Sequence, residues 1–524
     1  MTNYRSLICA ALLAFAGASH AEEFNLEADA NRALKTFDVP GVAVAIVKDG
    51  KVITARGFGV RKLGDPTPVD GKTLFEVASN SKAFTAAALA MLVDEGKISW
   101  DDPVTKHLPG FQMFDSYVTG QMTVRDLLTH RSGLGLGAGD LLWWPSTAFS
   151  TDEIINKLRY IKPATSFRSA YAYDNLLYIV AGKIIAEKTG KPWGAAIHDR
   201  ILAPLGMNGT KTSVPDMLAS GDYSAPHSKI NEHAAVVKPM PVPNAVGAVG
   251  IDTNAEDIAR WMNLLLNGGR MENGQQLISA QQANELWAEQ TPMRISEPPP
   301  ALAATKPNFA AYGLGFSLRD YKGHKIAMHG GALQGFYSTV LMVPDQRLGI
   351  AILTNAENRS VMASLYYRIL DQYLNAQPSD WISLYAAQEA SAHQEELARQ
   401  GKEHGARAAK SSPSLPLASY DGEYEDAWYG KISIQNEGGK HIFRFTRTPD
   451  LTGELEHFQH DTFIVRWRER NLNADAYVSF ALNPDGSIER MKMAPISSET
   501  DFSYDFRDLT FTPVKPTKSA AKAP

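Results

Sequence analysis

Over residues 22–380 strand-like segments fall into two groups far apart in sequence, and nearly everything between them reads as helix or loop. No other feature limits the possible folds as much. Residues 42–47 and 52–58 flank Lys48-Asp49-Gly50-Lys51, and a strand, an Asp-Gly turn and a second strand specify an antiparallel hairpin. Strands then return at residues 325–328, 336–343 and 349–353, the last two joined by a turn at Pro344-Asp345-Gln346. Helical patterns occupy the interval, over residues 79–98, 175–188 and 254–266 among others. The two groups are expected to share one antiparallel sheet flanked by helices, with a large helical insertion, which is an α+β layered architecture.

A second domain follows. Past residue 375 comes a charged, alanine-rich helical stretch near 385–403, then Ser411-Ser412-Pro413-Ser414-Leu415-Pro416, a linker composition. Residues 417–513 alternate apolar and polar side chains, as in Lys431-Ile432-Ser433-Ile434-Gln435, and read as a small all-β module. The expected organisation is a first domain over 22–380, a helical segment and linker over 381–416, the β module over 417–513 and a disordered tail over 514–524.

Residues 1–21 combine Arg5 in a short polar start, an apolar run over 7–18 and Ser19-His20-Ala21 as a small-x-small cleavage site, the pattern of a secretory signal peptide. The run is shorter than the roughly 20 apolar residues that cross a bilayer. The mature chain is expected in the periplasm or outside the cell, with no integral membrane segment. The single cysteine, Cys9, lies inside the signal and leaves the mature chain without disulfides or a thiol nucleophile. With 524 residues, 44% hydrophobic, and a net charge of -5 spread over mixed signs, the chain is globular and carries no basic stripe for nucleic acid.

Three short motifs carry the chemistry. Ser79-Asn80-Ser81-Lys82 opens an alanine-rich helix, so an i, i+3 spacing stacks Lys82 beside Ser79, and a hydroxyl at a helix N-terminus gains backbone N–H donors for developing negative charge. A second Ser-x-x-Lys, at 519–522, lies in the tail. For Lys82 to act as a base its pKa must fall from about 10.4 to about 7, a destabilisation of the cation by on the order of 5 kcal/mol. The helix dipole supplies only about 0.3 to 2 kcal/mol, so burial and hydrogen bonding must supply the rest. Tyr173-Asp174-Asn175 sits on a loop entering a helix, where a phenol can relay a proton and an amide can hold a carbonyl; its second copy, Tyr373-Leu374-Asn375, ends a plain amphipathic helix. His329-Gly330-Gly331 is the chain's only His-x-Gly and is placed at the end of a strand, where missing side chains let a ligand approach the backbone. Each motif alone has a bland reading as a helix cap, a buried tyrosine or a structural histidine. No glycine-x-serine-x-glycine elbow and no His-Glu-x-x-His zinc motif occurs, so neither an α/β-hydrolase triad nor a metal or other cofactor is expected.

In this order the motifs resemble the serine β-lactamase and penicillin-binding-protein superfamily, in its branch of class C β-lactamase-like peptidases and esterases, over residues 25–375. Asp101-Asp102-Pro103-Val104, the run from Leu127 through His130 to Leu134, Leu205-Gly206-Met207 and Tyr312-Gly313-Leu314-Gly315 support the resemblance. It implies Ser79 as the acylated nucleophile, Lys82 and Tyr173 as the proton-handling pair, with either as the base, and Asn175 as an anchor for a substrate amide. It places the oxyanion hole at the backbone N–H groups of Ser79 and Ala332, beside His329 and Gly331. Residues 417–513 are similar to the barrel-like domain appended to some of these hydrolases. Penicillin-recognising members usually place Lys-Thr-Gly or Lys-Ser-Gly where this chain has His329-Gly330-Gly331, which loses the fixed cation that holds a substrate carboxylate.

The expected activity is therefore an exported serine peptidase or amidase on short peptides, including ones with D-residues, similar to D-aminopeptidases and linearised-microcystin peptidases. A carboxylesterase on the same site, a β-lactamase or D,D-carboxypeptidase, and a non-catalytic binder of cell-wall fragments are the alternatives, and the oligomeric state is not readable. Leu141-Leu142-Trp143-Trp144 is expected in the core, with an aromatic wall for substrate side chains as its other reading.

Overall fold

The computed structural model describes residues 24–405, 407–408 and 410–514; the signal segment expected at 1–21, the second Ser-x-x-Lys at 519–522 and the tail beyond 514 lie outside the described residues. Strands β1 (Gly41–Lys48) and β2 (Lys51–Lys62) form the expected hairpin, with Lys48 opposite Lys51 across Asp49 and Gly50. Both turn residues have positive φ, 52° and 78°, as a tight turn matched to the strand twist requires. The remaining strands of this sheet are β3 (Asp65–Pro68), β4 (Thr291–Pro292), β5 (Ala310–Tyr312), β6 (Ser317–Tyr321), β7 (His324–Leu333), β8 (Phe336–Val343) and β9 (Leu348–Thr354). All pairs are antiparallel, in the order β3-β2-β1-β9-β8-β7-β6-β5-β4, so strands from the two ends of the domain meet at β1 and β9.

Alternation along β1 sends its side chains into two separate cores. Val42, Val44 and Ile46 pack against α1 (Leu26–Phe37), α5 (Arg359–Tyr373) and α6 (Trp381–Gly405). The smaller Ala43 and Ala45, with Val47, face the insertion, where α2 (Ser81–Asp94) and α4 (Ala255–Leu266) bury Phe84 and Trp261 in a stack with ring centroids 4.2 Å apart. α2 is buried on nearly every side, the behaviour of a helix without a polar face. It ends at Asp94, short of the expected residue 98, because Gly96 adopts a left-handed φ of 68°. α3 (Leu176–Thr189) lies beside it.

The eight strands after residue 421 form one antiparallel sheet. Its first and last members are brought together where Met491 and Phe511 exchange hydrogen bonds of 2.8 and 3.0 Å, making a nearly closed barrel. Phe443, Phe445, Trp467, Phe506 and Phe511 fill it. Its aromatic interior is continuous with the core that contains α2 and residues 141–144 of the first domain. No helix among the described residues is long and apolar enough to cross a membrane.

Candidate active site

Ser79 lies on a short 3-10 turn, Ala78–Asn80, between the two-residue strand Phe75–Glu76 and α2, not inside the helix itself. Ala78 before it has a left-handed φ of 49°, a conformation that costs an alanine on the order of 1 kcal/mol or more and persists only where the surroundings enforce it. They do. The Val77 N–H donates to Ile251 O, Ser81 Oγ donates to Ala78 O and accepts from the Ile251 N–H, and Asn80 Nδ2 donates to Ser338 Oγ, which in turn donates to Val77 O.

Because Lys82 stands in the first turn of a helix buried all round, its side chain is fully buried. Its Nζ lies 2.9 Å from Ser79 Oγ, donates to Asn175 Oδ1 at 2.7 Å and to Ala248 O at 3.3 Å, and sits 4.9 Å above the Tyr173 ring. Burial brings its pKa down to about 7, against the support that Asp140 and Asp174 give the cation. An amine that is substantially neutral near pH 7 can accept the Ser79 proton. The Ser79 hydroxyl draws the Tyr173 pKa down, but burial outweighs it and holds the phenol well above the usual 10, so Tyr173 stays protonated near neutral pH.

Asn175 is engaged at both ends of its amide, by Lys82 and by Asp140 Oδ2 at 2.8 Å. In this structure it holds the amine, and a substrate amide would have to share it.

His329 is not at a strand end. β7 continues through it to Leu333, whereas β6 pairs with β7 only as far as Met328, so residues 329–333 have a strand on one side only. The two glycines differ. A Cβ on Gly331 would meet Val77 O at 2.1 Å, so this glycine lets β7 pack onto the Ser79 turn, while Gly330 is exposed, with nothing nearer than Ser338 O at 3.8 Å. Ala332 follows on the same unpaired stretch, opposite Tyr337 of β8. His329 Nδ1 donates to Gly330 O and Nε2 accepts from the Tyr312 hydroxyl at 2.9 Å. Burial, reinforced by the Lys82 cation, drives its pKa down to about 3, so it offers no fixed positive charge.

Several neighbours of these groups lie outside the three motifs. His130, which accepts from the Asp174 N–H, is packed among the rings of Tyr171, Tyr173, Tyr178 and Tyr312. Asp140 follows a glycine-rich stretch and accepts from Trp143 Nε1, Asn175 Nδ2 and Ser503 Oγ. Trp143 is thereby a buried core residue, as expected. Trp144 is also buried, yet it stands on the wall of a cleft of about 1060 Å³ between the two domains, together with Phe502, Tyr504, Tyr337 and Arg359; the cleft meets the site at Ala332. The Tyr373–Asn375 copy lies at the C-terminal end of α5, outside this cluster. Among the described residues no group of three or more His, Cys, Asp or Glu is placed to hold a metal ion.

A family model for beta-lactamases matches residues 28–374, and one described as a domain of unknown function, DUF3471, matches residues 406–513. Unguisins hydrolase ungD' of Aspergillus campestris is 29% identical over 486 residues, which is 87% of this chain and 86% of that protein. Protein flp of Staphylococcus aureus is 27% identical over 361 residues, 66% of this chain and 64% of its own length. The octameric penicillin-binding protein homologue from Pyrococcus abyssi superposes with a TM-score of 0.57 at 20% identity, covering 93% of this chain and 98% of that one, a likeness of fold. With its model spanning well over half of the sequence, the chain belongs to the beta-lactamase family of serine hydrolases.

Proposed function

We propose that the chain is an exported serine peptidase or amidase that cleaves short peptides, D-residue-containing ones included, through an acyl-enzyme on Ser79. The observation that carries this reading is the buried Lys82 amine, 2.9 Å from Ser79 Oγ, whose pKa burial brings down to about 7. In the first step Ser79 Oγ bonds to the substrate carbonyl carbon, its proton passing to Lys82, while the carbonyl oxygen gains the negative charge. The N–H groups of Ser79 and Ala332 are the donors for that charge; one such donor is typically worth about 2.7 to 4 kcal/mol in the transition state. Collapse breaks the carbon–nitrogen bond, and the leaving amine takes its proton back through Lys82 or Tyr173. Water then repeats the sequence on the acyl-enzyme and regenerates Ser79.

The neutral His329 favours substrates without a carboxylate next to the scissile bond, and so argues against penicillin-like substrates. The name of the Aspergillus campestris relative, a hydrolase, agrees with the reading. The test is a panel of D- and L-peptides and short esters with wild type and Ser79→Ala. Peptide turnover that exceeds ester turnover and vanishes in Ser79→Ala supports the proposal. Ester turnover alone makes the enzyme an esterase, and turnover surviving in Ser79→Ala removes Ser79 from the mechanism.

A further inference from the structure

The loop Asp501 to Asp505 of the β domain reaches the first domain beside Lys82. Phe502 packs edge-on to the Tyr173 ring with centroids 5.9 Å apart, and a Cβ on Gly137 would lie 2.7 Å from Phe502 Cδ2. Asp505 accepts from the Gly139 N–H at 2.6 Å and the Leu141 N–H at 3.4 Å. Between these two attachments the buried Ser503 Oγ donates to Asp140 Oδ2 at 2.9 Å, and Asn175 Nδ2 donates to the same oxygen at 2.8 Å.

The chemistry of the groups fixes the direction of this chain of contacts. An ionised carboxylate only accepts, so Asn175 must turn its NH2 toward Asp140, which leaves its carbonyl oxygen facing Lys82 Nζ. Asp140 thus decides which way Asn175 points. We propose that Ser503, supplied by the appended β domain, is a positioning residue for the reaction at Ser79: it fixes Asp140, through which Asn175 holds the Lys82 amine. This rests on the acyl-enzyme reading above, and it gives the β domain a part in catalysis.

Burial pushes the Asp140 carboxyl up to about 7, opposed by the hydrogen bonds from Trp143, Asn175 and Ser503 and by the Lys82 cation. The charged groups facing it are Lys82 from α2, Asp174 from the turn before α3, and Asp505 from the β domain. Without the Ser503 hydroxyl Asp140 holds its proton more firmly. Less negative charge then supports the Lys82 cation, and Lys82 loses its proton at lower pH.

The experiment measures saturable labelling of Ser79 by a fluorophosphonate, as kinact and KI across pH, in full-length wild type, Ser503→Ala and Ser503→Cys. The cysteine keeps the volume but donates weakly, and carries the test should the alanine variant fail to fold. We expect Ser503→Ala to lose about tenfold in kinact with KI within about twofold, the worth of a hydrogen bond to a charged group. Its acid limb should move to lower pH, with Ser503→Cys in between. Wild-type kinact and limb in both variants overturn the proposal, as does a uniform loss at every pH that tracks a lower melting temperature, which marks a purely structural clamp. Absence of labelling in wild type overturns the acyl-enzyme reading itself, and this one with it.

Discussion

In the nine-stranded sheet β7 runs past the end of its neighbour and leaves residues 329–333 paired on one side only against the Ser79 turn, whereas the eight-stranded sheet, drawn together by the bridge between Met491 and Phe511, meets the site through the loop Asp501 to Asp505. The open sheet therefore presents main-chain N–H and C=O groups to the site, and the closed one reaches it only through side chains on a loop. The two contributions differ in kind: the first domain brings Ser79, Lys82, Tyr173 and a backbone edge, and the second brings Phe502, Ser503 and Asp505 against them.

Changes on the open-sheet side test this contrast most severely. Lys82→Met should lower kcat/KM by about 10²–10⁴-fold, the usual worth of a positioned acid or base, with the fold intact by circular dichroism. A loss under tenfold would move the base to Tyr173. In wild type, Lys82 must shed its proton to act, and its lowered pKa lies at about 7. The sign follows: kcat/KM should rise with pH to a plateau above about 7 and fall about tenfold per unit well below it, as read from a pH–rate profile. A limb that stays put in Lys82→Met assigns it to another group.

Gly331→Val puts carbon where Val77 O stands 2.1 Å away. It should cost about 1–3 kcal/mol in urea unfolding and a larger share of activity, since the contact carries the Ser79 turn. The same change at the exposed Gly330 should leave stability nearly unaltered, and equal losses at both would dissolve the distinction between the two glycines. Smallest is Arg447→Ala at the seam, where Arg447 pairs with the half-exposed Glu153 at 2.9 Å and reaches Ala148 O. Such a pair is worth about 0–1 kcal/mol.

What the sequence discloses about this architecture is local. The Asp49-Gly50 hairpin, the helix opened by the Asn254 cap and strand β8 over Phe336–Val343 follow from turn chemistry and periodicity within a few residues. Ser79, Lys82, Tyr173 and His329 stand out because their motifs are short. The sequence around His329 reads as a strand end because two glycines weaken any strand pattern; Gly331 is accommodated by Val77 O and Ser338 Oγ packed against it, contacts that join distant parts of the chain. Asp140 and Ser503 lie 363 residues apart, and neither carries a local pattern that would point to the other. The surroundings of His130 are equally non-local, made by three tyrosines of residues 171–178 and by Tyr312 of β5.

The apolar interior that runs without interruption from Leu141, Leu142 and Trp143 into Tyr420, Phe445 and Phe506 has a thermal consequence. The family segments are separated by residues 375–405, but heat has no such border to follow. Calorimetry of the intact chain should record one cooperative endotherm, and a fragment cut after residue 375 would bare the greasy flank that the barrel covers and clump instead of refolding.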